Sequence, residues 1–256
     1  MNTHKLEVIP LIGVPAVKAD DDLAAIALDS LAHMRCVLED RDVLVFAQKV
    51  VSKSEGRMVR LADIVPSPRA KELAKAAEKD PRLIEIILGE SREILRVRAG
   101  VIVVEDVRGL VLAGAGVDAS NVNADGGDGS VLLLPVDPDA SAAKLRGALQ
   151  ARTGRDVGII INDSIGRAWR NGTIGTAIGV SGLPGLLDLR GTPDLFGRTL
   201  RTTDLGLADE IASAASLIMG QAGEGLPIVL VRGVPYARRD GNARELLRDR
   251  ALDFFR

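Results

Sequence analysis

Short runs of apolar residues recur along the chain, and they are separated by longer segments that carry polar residues at helical spacing. The runs at 43–47, 157–161 and 228–231 consist mainly of Val, Ile and Leu. Runs that can face water on neither side are typical of strands in a sheet covered on both faces. They therefore predict a central sheet enclosed by helices.

Capping residues and apolar spacing predict helices between these strands. Asp20–Asp22 precede a helix that runs to about His33, and prolines in the first turn open two further helices. Glycines after residue 221 end another helix. After the first helix, the predicted helices cover about 69–79, the two segments that start at Asp80 and Asp137 with proline in the first turn, 207–221 and 242–255.

Strands and helices alternate without a repeat of fixed period and without a linker-like segment. Paired strands are predicted at 101–104 and 109–112, and residues 123–130 form a loop rich in turn residues. This order favours a mixed α/β (α+β) architecture. A chain of 256 residues is long enough for one large domain or for two interleaved lobes.

The composition excludes several classes of function. Hydrophobic residues make up 46% and charged residues 27% of the chain, which is ordinary for a globular protein. A formal net charge of −2 without a Lys/Arg cluster and only 2% aromatic residues argue against nucleic acid as a partner. The start of the chain lacks a signal-peptide core, and no apolar run reaches membrane-spanning length. We expect a cytoplasmic protein without a membrane partner.

Cysteine and histidine are too scarce for several common catalytic sites. One cysteine cannot form an internal disulfide, and two histidines without ligand-like spacing argue against a His-dependent zinc site or a Ser-His-Asp triad. Catalysis would therefore rest on carboxylates, cations, amides and a bound metal.

Two apolar runs end in similar polar residues. The run at 157–161 leads into Asn162-Asp163-Ser164, and the run that starts at Val111 leads through small residues to Asp118. Either aspartate alone would be read as an ordinary turn residue. Two of them at strand ends predict a shared divalent cation, Mg²⁺ or Mn²⁺, which takes one or two protein carboxylates and leaves other positions to water and phosphates.

Familiar nucleotide-binding motifs are weak or absent. Residues 114–119 formally match the dinucleotide fingerprint G-x-G-x-x-G/A, but the Asn-, Asp- and Gly-rich segment that follows cannot start the helix that the fingerprint requires. No Walker A sequence is present. The polar segment 48–56, predicted to be a loop after a strand, either holds phosphates through its lysines or is solvated surface. Pro10 and Pro15 break the segment 8–17, so its backbone is expected to loop.

Six segments, in order along nearly the whole chain, resemble the coenzyme F420-0:L-glutamate ligase family. They are Val43-Leu-Val-Phe-Ala-Gln-Lys-Val-Val-Ser-Lys-Ser-Glu-Gly56, Ala115-Gly-Val-Asp-Ala-Ser-Asn121, Leu134-Pro-Val-Asp-Pro-Asp-Ala-Ser141, Ile160-Ile-Asn-Asp-Ser-Ile-Gly-Arg-Ala-Trp-Arg170, Asp188-Leu-Arg-Gly191 and Met219-Gly-Gln-Ala-Gly-Glu-Gly225.

The resemblance implies an enzyme that uses GTP and a divalent metal, with K⁺ as a further candidate cofactor. Such an enzyme joins L-glutamate through a γ-glutamyl amide to coenzyme F420-0, by way of an acyl phosphate. It also implies a homodimer whose fold is neither Rossmann nor P-loop. Residues 1–256 would form one ligase unit, undivided or in two lobes of about 1–90 plus 180–256 and about 91–179. Because the chain ends at Arg256, no carboxyl-terminal reductase domain is expected.

The resemblance also implies site residues. Asp118 and Asp163 would be catalytic metal ligands, with Ser164 and Gln221 at a second ion. Residues that would contact GTP are Val14, Pro15, Ala16, Val17, Gln48, Lys53, Asn121, Gly220, Gln221, Ala222, Gly223, Glu224 and Gly225.

Four arginines in or near these motifs have two possible roles. Arg167, Arg170, Arg190 and Arg198 either receive the anionic substrates or form surface ion pairs.

The acceptor and the activity also stay open. Gly172-Thr173-Ile174 stands where relatives usually read Gly-Gln-Thr, so the acceptor could be F420-0 or another small cofactor. A non-catalytic guanine-nucleotide-binding module is the alternative from another class, and a nicotinamide oxidoreductase ranks last.

Overall fold

The computed structural model describes residues 5–118 and 129–253. Its α-helices are α1 Leu23–His33, α2 Gln48–Ser54, α3 Pro68–Ala77, α4 Pro81–Gly89, α5 Pro138–Thr153 and α6 Leu207–Met219. Its strands are β1 Glu7–Pro10, β2 Val43–Ala47, β3 Met58–Arg60, β4 Ser91–Arg98, β5 Val101–Asp106, β6 Val111–Ala113, β7 Ser130–Leu132, β8 Gly158–Arg167, β9 Arg170–Ser181, β10 Leu187–Asp188, β11 Asp204–Leu205 and β12 Ile228–Arg232.

The central sheet has five strands in the order β1-β12-β2-β8-β9. Strands β2 and β8 run parallel, with Val43 opposite Gly158 and Ala47 opposite Asn162, and the other neighbours are antiparallel. A mixed sheet of this order, with helices between its strands, confirms the predicted mixed α/β class. It is neither a doubly wound parallel sheet nor a P-loop fold.

Both faces of the central sheet are covered, as the uniformly apolar strands predict. Leu44 and Ile159 point to one face, where they pack with buried residues of α1, α2 and α5. Val45 and Ile160 point to the other face, against α6. Because successive side chains in a strand alternate between faces, each strand must be apolar at every position to serve both cores.

Smaller sheets lie beside the central one. Strands β4, β5 and β6 form an antiparallel sheet with its own core against α3 and α4, and β3 pairs with β7. The predicted pairing of the segments 101–104 and 109–112 is thereby confirmed. Strands β8 and β9, which lie almost wholly within 91–179, share the central sheet with β2 and β12. The division into two lobes stays a prediction.

The helix starts predicted from capping residues are confirmed. The side chains of Asp22, Asp80 and Asp137 each accept a hydrogen bond from a backbone N–H in the first turn of α1, α4 and α5. Within the described ranges, no helix is long and apolar enough to cross a membrane.

Two predictions about the strand ends are wrong. Segment 48–56, predicted as a loop, begins with α2, because Val50 and Val51 bury against the sheet and favour a helical turn. Strand β8 does not stop before Asn162 but continues to Arg167 and forms a hairpin with β9. The partner that ends there is β2, whose last residue lies opposite Asn162.

The predicted helix over 242–255 is also wrong over the described residues, which form short 3₁₀ turns at Ala243–Leu246 and Arg250–Leu252. Long-range contacts fix this segment. The Glu245 carboxylate accepts hydrogen bonds from the N–H groups of Gly185 and Leu186 and pairs with Arg239. These contacts override the helical spacing of the sequence.

Gly179 in β9 tests how closely α5 packs on the sheet. A Cβ at this position would overlap the backbone carbonyl group of Pro138, which cannot rotate away. We expect Gly179→Ala to lower the free energy of unfolding by about 2 kcal/mol, measured by urea denaturation. The matched control is Gly147→Ala on the exposed face of α5, where a Cβ meets nothing within 4 Å. This variant should gain about 0.5–1 kcal/mol. Equal stability of the two variants would contradict the close contact.

Candidate active site

A cavity of about 540 Å³ opens where β2 ends and the chain turns into α2. It lies beside the middle of β8 and the end of α6, so the rigid sheet positions most of its walls. Its lining residues are Val14, Pro15, Ala16, Val17, Ala47, Gln48, Lys49, Val50, Lys53, Asp118, Asn162, Asp163, Ser164, Met219, Gly220, Gln221, Ala222, Gly223, Gly225, Leu226 and Pro227. Such a position at the carboxyl ends of parallel strands is typical of ligand sites in covered sheets.

The structure brings the two predicted aspartates into this cavity from different elements. Asp163 belongs to β8, and Asp118 follows β6, where its backbone exchanges hydrogen bonds of 3.0 and 2.8 Å with Leu132. The ammonium group of Lys49, in the first turn of α2, lies 2.7 Å from Oδ2 of Asp118. Three charged groups from three parts of the sequence therefore meet at one wall.

The charges of this wall act on one another. The pKa of Asp163 is raised to about 6, chiefly by burial and in smaller part by the negative charge of Asp118. The N–H of Ser164, which donates a bond of 2.8 Å to Oδ1 of Asp163, and the charge of Lys49 oppose this increase in the pKa. The positive partners of Asp163 therefore do not offset its burial, and its carboxyl group ionises at a higher pH than that of an exposed aspartate.

The opposite face of β8, toward α6, carries neutral oxygen atoms, of which Oδ1 of Asn162 is buried. Oδ1 of buried Asn162 is without a hydrogen-bond partner among the described residues, and its Nδ2 lies 3.5 Å from the sulfur of Met219. Ser164 points to the same face, and the amide nitrogen of Gln221 donates to Ser216 Oγ at 3.1 Å, which leaves its oxygen as an acceptor.

A second wall carries the residues predicted to contact a nucleotide. The segment Val14–Val17, broken by proline as the sequence indicates, lines the cavity opposite α2. Gln48 accepts a hydrogen bond of 3.0 Å from Ser52 Oγ. Burial lowers the pKa of the Lys53 ammonium, and the nearby charge of Lys49 lowers it further. Two lysines one helical turn apart thus give α2 a positive face toward the cavity.

The turn 220–225 closes the cavity after α6. Gly220 has φ 71°, a conformation that favours glycine, and the Glu224 carboxyl group packs where a Cβ of Gly220 would lie. Bonds from backbone N–H groups, including one of 2.8 Å from Ala222, lower the pKa of Glu224. Glu224 is thus a turn-forming residue that does not line the cavity.

Apart from Glu224, the cavity contains every predicted site residue that the structure describes. Asn121, predicted to contact GTP, lies outside the described residues. Arg167, Arg170 and Arg198 do not line the cavity, and Arg190 pairs with Asp188 at 2.6 Å, as the surface reading predicts.

Two residues of the cavity carry roles that the sequence argument did not assign. The pairing of Lys49 with Asp118 was not predicted, although Lys49 and Lys53 at helical spacing after a buried strand are a usable signal. Asn162 adjoins Asp163 in the same motif, but the sequence did not indicate that its side chain is buried on the α6 side of the strand.

The donor set suits a hard divalent cation. Two carboxylates with hydroxyl and amide oxygens nearby are the ligands that Mg²⁺ and Mn²⁺ prefer. The described residues contain no group of three or more His, Cys, Asp or Glu side chains that could hold a metal alone. Water and a bound phosphate would therefore have to complete the coordination of a cation at Asp118 and Asp163.

Titration of Asp163 tests this arrangement of charges. In metal-free protein we expect its carboxyl group to be half protonated near pH 6, followed by ¹³C NMR of labelled aspartate. Asp118→Asn removes a negative neighbour and should lower this pKa, whereas Lys49→Met removes a positive neighbour and should raise it. Shifts of the same sign in both variants would contradict the arrangement.

Comparison with known proteins shows the family to which the chain belongs. Residues 12–233 match the family described as F420-0:Gamma-glutamyl ligase. The chain is 47% identical to the coenzyme F420:L-glutamate ligase of Methanothermobacter thermautotrophicus, over 98% of this chain and 99% of that protein. It is 46% identical to the protein of the same name from Methanopyrus kandleri, over 99% and 98%. For the protein of that name from Archaeoglobus fulgidus, the identity is 43% over 98% and 97%. The chain therefore belongs to the F420-0:gamma-glutamyl ligase family.

Proposed function

We propose that the chain is a GTP- and divalent-metal-dependent ligase that adds L-glutamate to coenzyme F420-0 through a γ-glutamyl amide bond. The observation that carries this proposal is the meeting of Asp118 and Asp163 in a cavity whose other wall holds Lys53 and the glycine-rich turn 220–225. The names of relatives similar over almost their full length support the same acceptor and amino acid.

The chemistry fits the side chains that are present. A carboxylate oxygen of the acceptor attacks the γ-phosphorus of GTP, and the bond from phosphorus to the β,γ-bridging oxygen breaks, which releases GDP. The glutamate amine then attacks the carbonyl carbon of the acyl phosphate. Inorganic phosphate leaves with the former carboxylate oxygen, and the nitrogen loses its proton to solvent. Positioning and charge neutralisation dominate such phosphoryl transfer, so no His or Cys is required.

The roles of the chain's own residues follow from their places. Asp118 and Asp163 would hold one cation, and Ser164 and Gln221 would hold a second on the other face of β8. When bound, these cations would neutralise the phosphate oxygens that gain charge during transfer. Lys53 would supply a further positive charge. The loop Val14–Val17 and the turn 220–225 would exclude water from the nucleotide.

Features outside the cavity support the remaining parts of the proposal. The hairpin of β8 and β9 carries Arg167 and Arg170, which could receive the anionic acceptor and glutamate. Trp169, Leu195 and Phe196 are 80–91% exposed, which favours a homodimer that covers them. K⁺ remains a candidate activator, for which the neutral oxygens of Asn162 and Gln221 are suitable ligands.

Two alternatives would behave differently. The same ligation could act on another small acceptor, because the unusual Thr173 and Ile174 lie on β9 outside the cavity and leave the acceptor open. A non-catalytic guanine-nucleotide-binding module would bind GTP without acceptor-dependent turnover. Two carboxylates held together in a cavity with room for a nucleotide favour catalysis over simple binding.

Replacement of Asp163 tests the proposed catalytic role. We expect Asp163→Asn to lower the rate of GDP release with F420-0 and glutamate by at least about 100-fold, because charge stabilisation in the transition state is lost. The matched control is Asp80→Asn, which removes the same charge at the start of α4, where asparagine caps equally well. GDP release at background level in both the wild-type protein and the Asp163 variant would favour the binding module, and equal acceptor-dependent rates in the two would contradict the role of Asp163.

Isotope transfer tests the acyl phosphate and the acceptor together. With F420-0 that carries ¹⁸O in its carboxylate groups, we expect one ¹⁸O atom in each phosphate released, measured by mass spectrometry. Phosphate release should require both F420-0 and L-glutamate. Turnover with another cofactor acceptor but none with F420-0 would support the first alternative, and unlabelled phosphate would rule out the acyl phosphate.

A further inference from the structure

Lys49 is the positively charged group that interacts with both catalytic carboxylates. Its ammonium nitrogen lies 2.7 Å from Oδ2 of Asp118, and its charge also acts on Asp163. The side chains of Lys49 and Asp118 are 27% and 33% exposed, so water screens the pair only in part. Lys49 therefore lies where a cation bound to Oδ2 of Asp118 would also lie.

The two carboxylates need a positive partner whether or not a metal is present. Asp118 and Asp163 repel each other, since each negative charge disfavours the other. A divalent cation that binds Asp118 through Oδ2 needs the oxygen atom that Lys49 already contacts, and a cation on either oxygen would repel the ammonium group. The ammonium group and the divalent cation are therefore competitors for one place.

We propose that Lys49 is a placeholder cation, which holds Asp118 in the metal-free protein and must move away when a divalent cation binds. This inference rests on the proposed function, because the competing cation is the one proposed for catalysis. Lys49 is then a positioning residue with two effects. It keeps the two carboxylates assembled without metal, and it weakens metal binding by the free energy needed to break its ion pair with Asp118.

The position of Lys49 on α2 allows its side chain to move away from Asp118. Lys49 is in the first turn of α2, directly after the rigid strand β2, so its backbone is fixed while its four-carbon side chain can rotate. Lys53 lies one turn further along the same helix, and burial and the charge of Lys49 lower the pKa of its ammonium group. The cavity offers the displaced ammonium group room beside the site rather than burial in the core.

Binding of Mn²⁺ alone, without nucleotide, tests the placeholder. We expect Lys49→Met to bind Mn²⁺ about fivefold more tightly than wild type, since no ion pair has to be broken. Lys49→Arg should bind it more weakly than wild type, because a guanidinium group pairs with a carboxylate through two hydrogen bonds. Free Mn²⁺ is measured by electron paramagnetic resonance. Lys53→Met is the matched control, with the same charge change on the same helix and an expected change below about twofold.

Thermal unfolding gives a second measurement that does not depend on the binding assay. In EDTA, Lys49→Met should unfold at a lower temperature than wild type, and saturating Mn²⁺ should raise its melting temperature by more than it raises that of wild type. If Lys49→Met does not fold in EDTA, the opposite shift in Mn²⁺ affinity expected for Lys49→Arg still decides the question.

The outcomes separate this inference from the proposed function. If wild type binds Mn²⁺ but Lys49→Met binds no more tightly, or Lys53→Met tightens binding equally, the placeholder role is overturned while the metal-dependent function stands. If wild type binds no Mn²⁺ at any concentration tested, the proposed metal site fails, and the placeholder fails with it. Opposite shifts for the Met and Arg variants of Lys49 would support the inference.

Discussion

The repulsion between two carboxylates is the constraint around which the site is built. Asp118 and Asp163 come from separate elements, and the charge of Asp118 makes ionisation of Asp163 harder. The parallel pairing of β2 with β8, covered on both faces, holds Asp163, and the backbone bonds with Leu132 hold Asp118. The same pairing places α2 and its lysines directly against the two acids. The fold therefore brings like charges from two different sheets together, and the helix that follows β2 places a positive charge between them.

The two faces of β8 divide the chemistry of the cavity. Alternation along the strand sends Asp163 toward Asp118 and Lys49, while Asn162 and Ser164 point toward α6. Charged oxygens therefore lie on one side of the strand and neutral oxygens on the other. One strand thus directs a carboxylate to one face and neutral oxygen atoms to the other.

Sequence reasoning succeeded where one physical signal dominated. Strand β2 is apolar at every position and β12 at every position up to Val231, and helices α1, α4 and α5 begin at aspartates that cap them. It failed where long-range contacts decided. Helix α2 has no side-chain cap and contains two valines, so only burial of Val51 against the sheet reveals it. The continuation of β8 past Asn162 looks like a turn in sequence, and its pairing with β9 makes it a strand. For the site, the motifs identified the residues lining the cavity, but the contact between Lys49 and Asp118 depends on the packing of α2 near β6, which no local pattern encodes.

The unequal lengths of β2 and β8 have a dynamic consequence. Because β2 ends opposite Asn162, the remainder of β8 is held in the central sheet by β9 on one side alone, as far as the described residues show. A two-stranded ribbon has few cooperative contacts and opens far more readily than a central strand. Amide hydrogens of β8 should therefore exchange with solvent slowly up to Ile161 and much faster toward Arg167. The boundary between slow and fast exchange falls at Asn162 and Asp163, so β8 is firmly paired before Asp163 and more flexible after it.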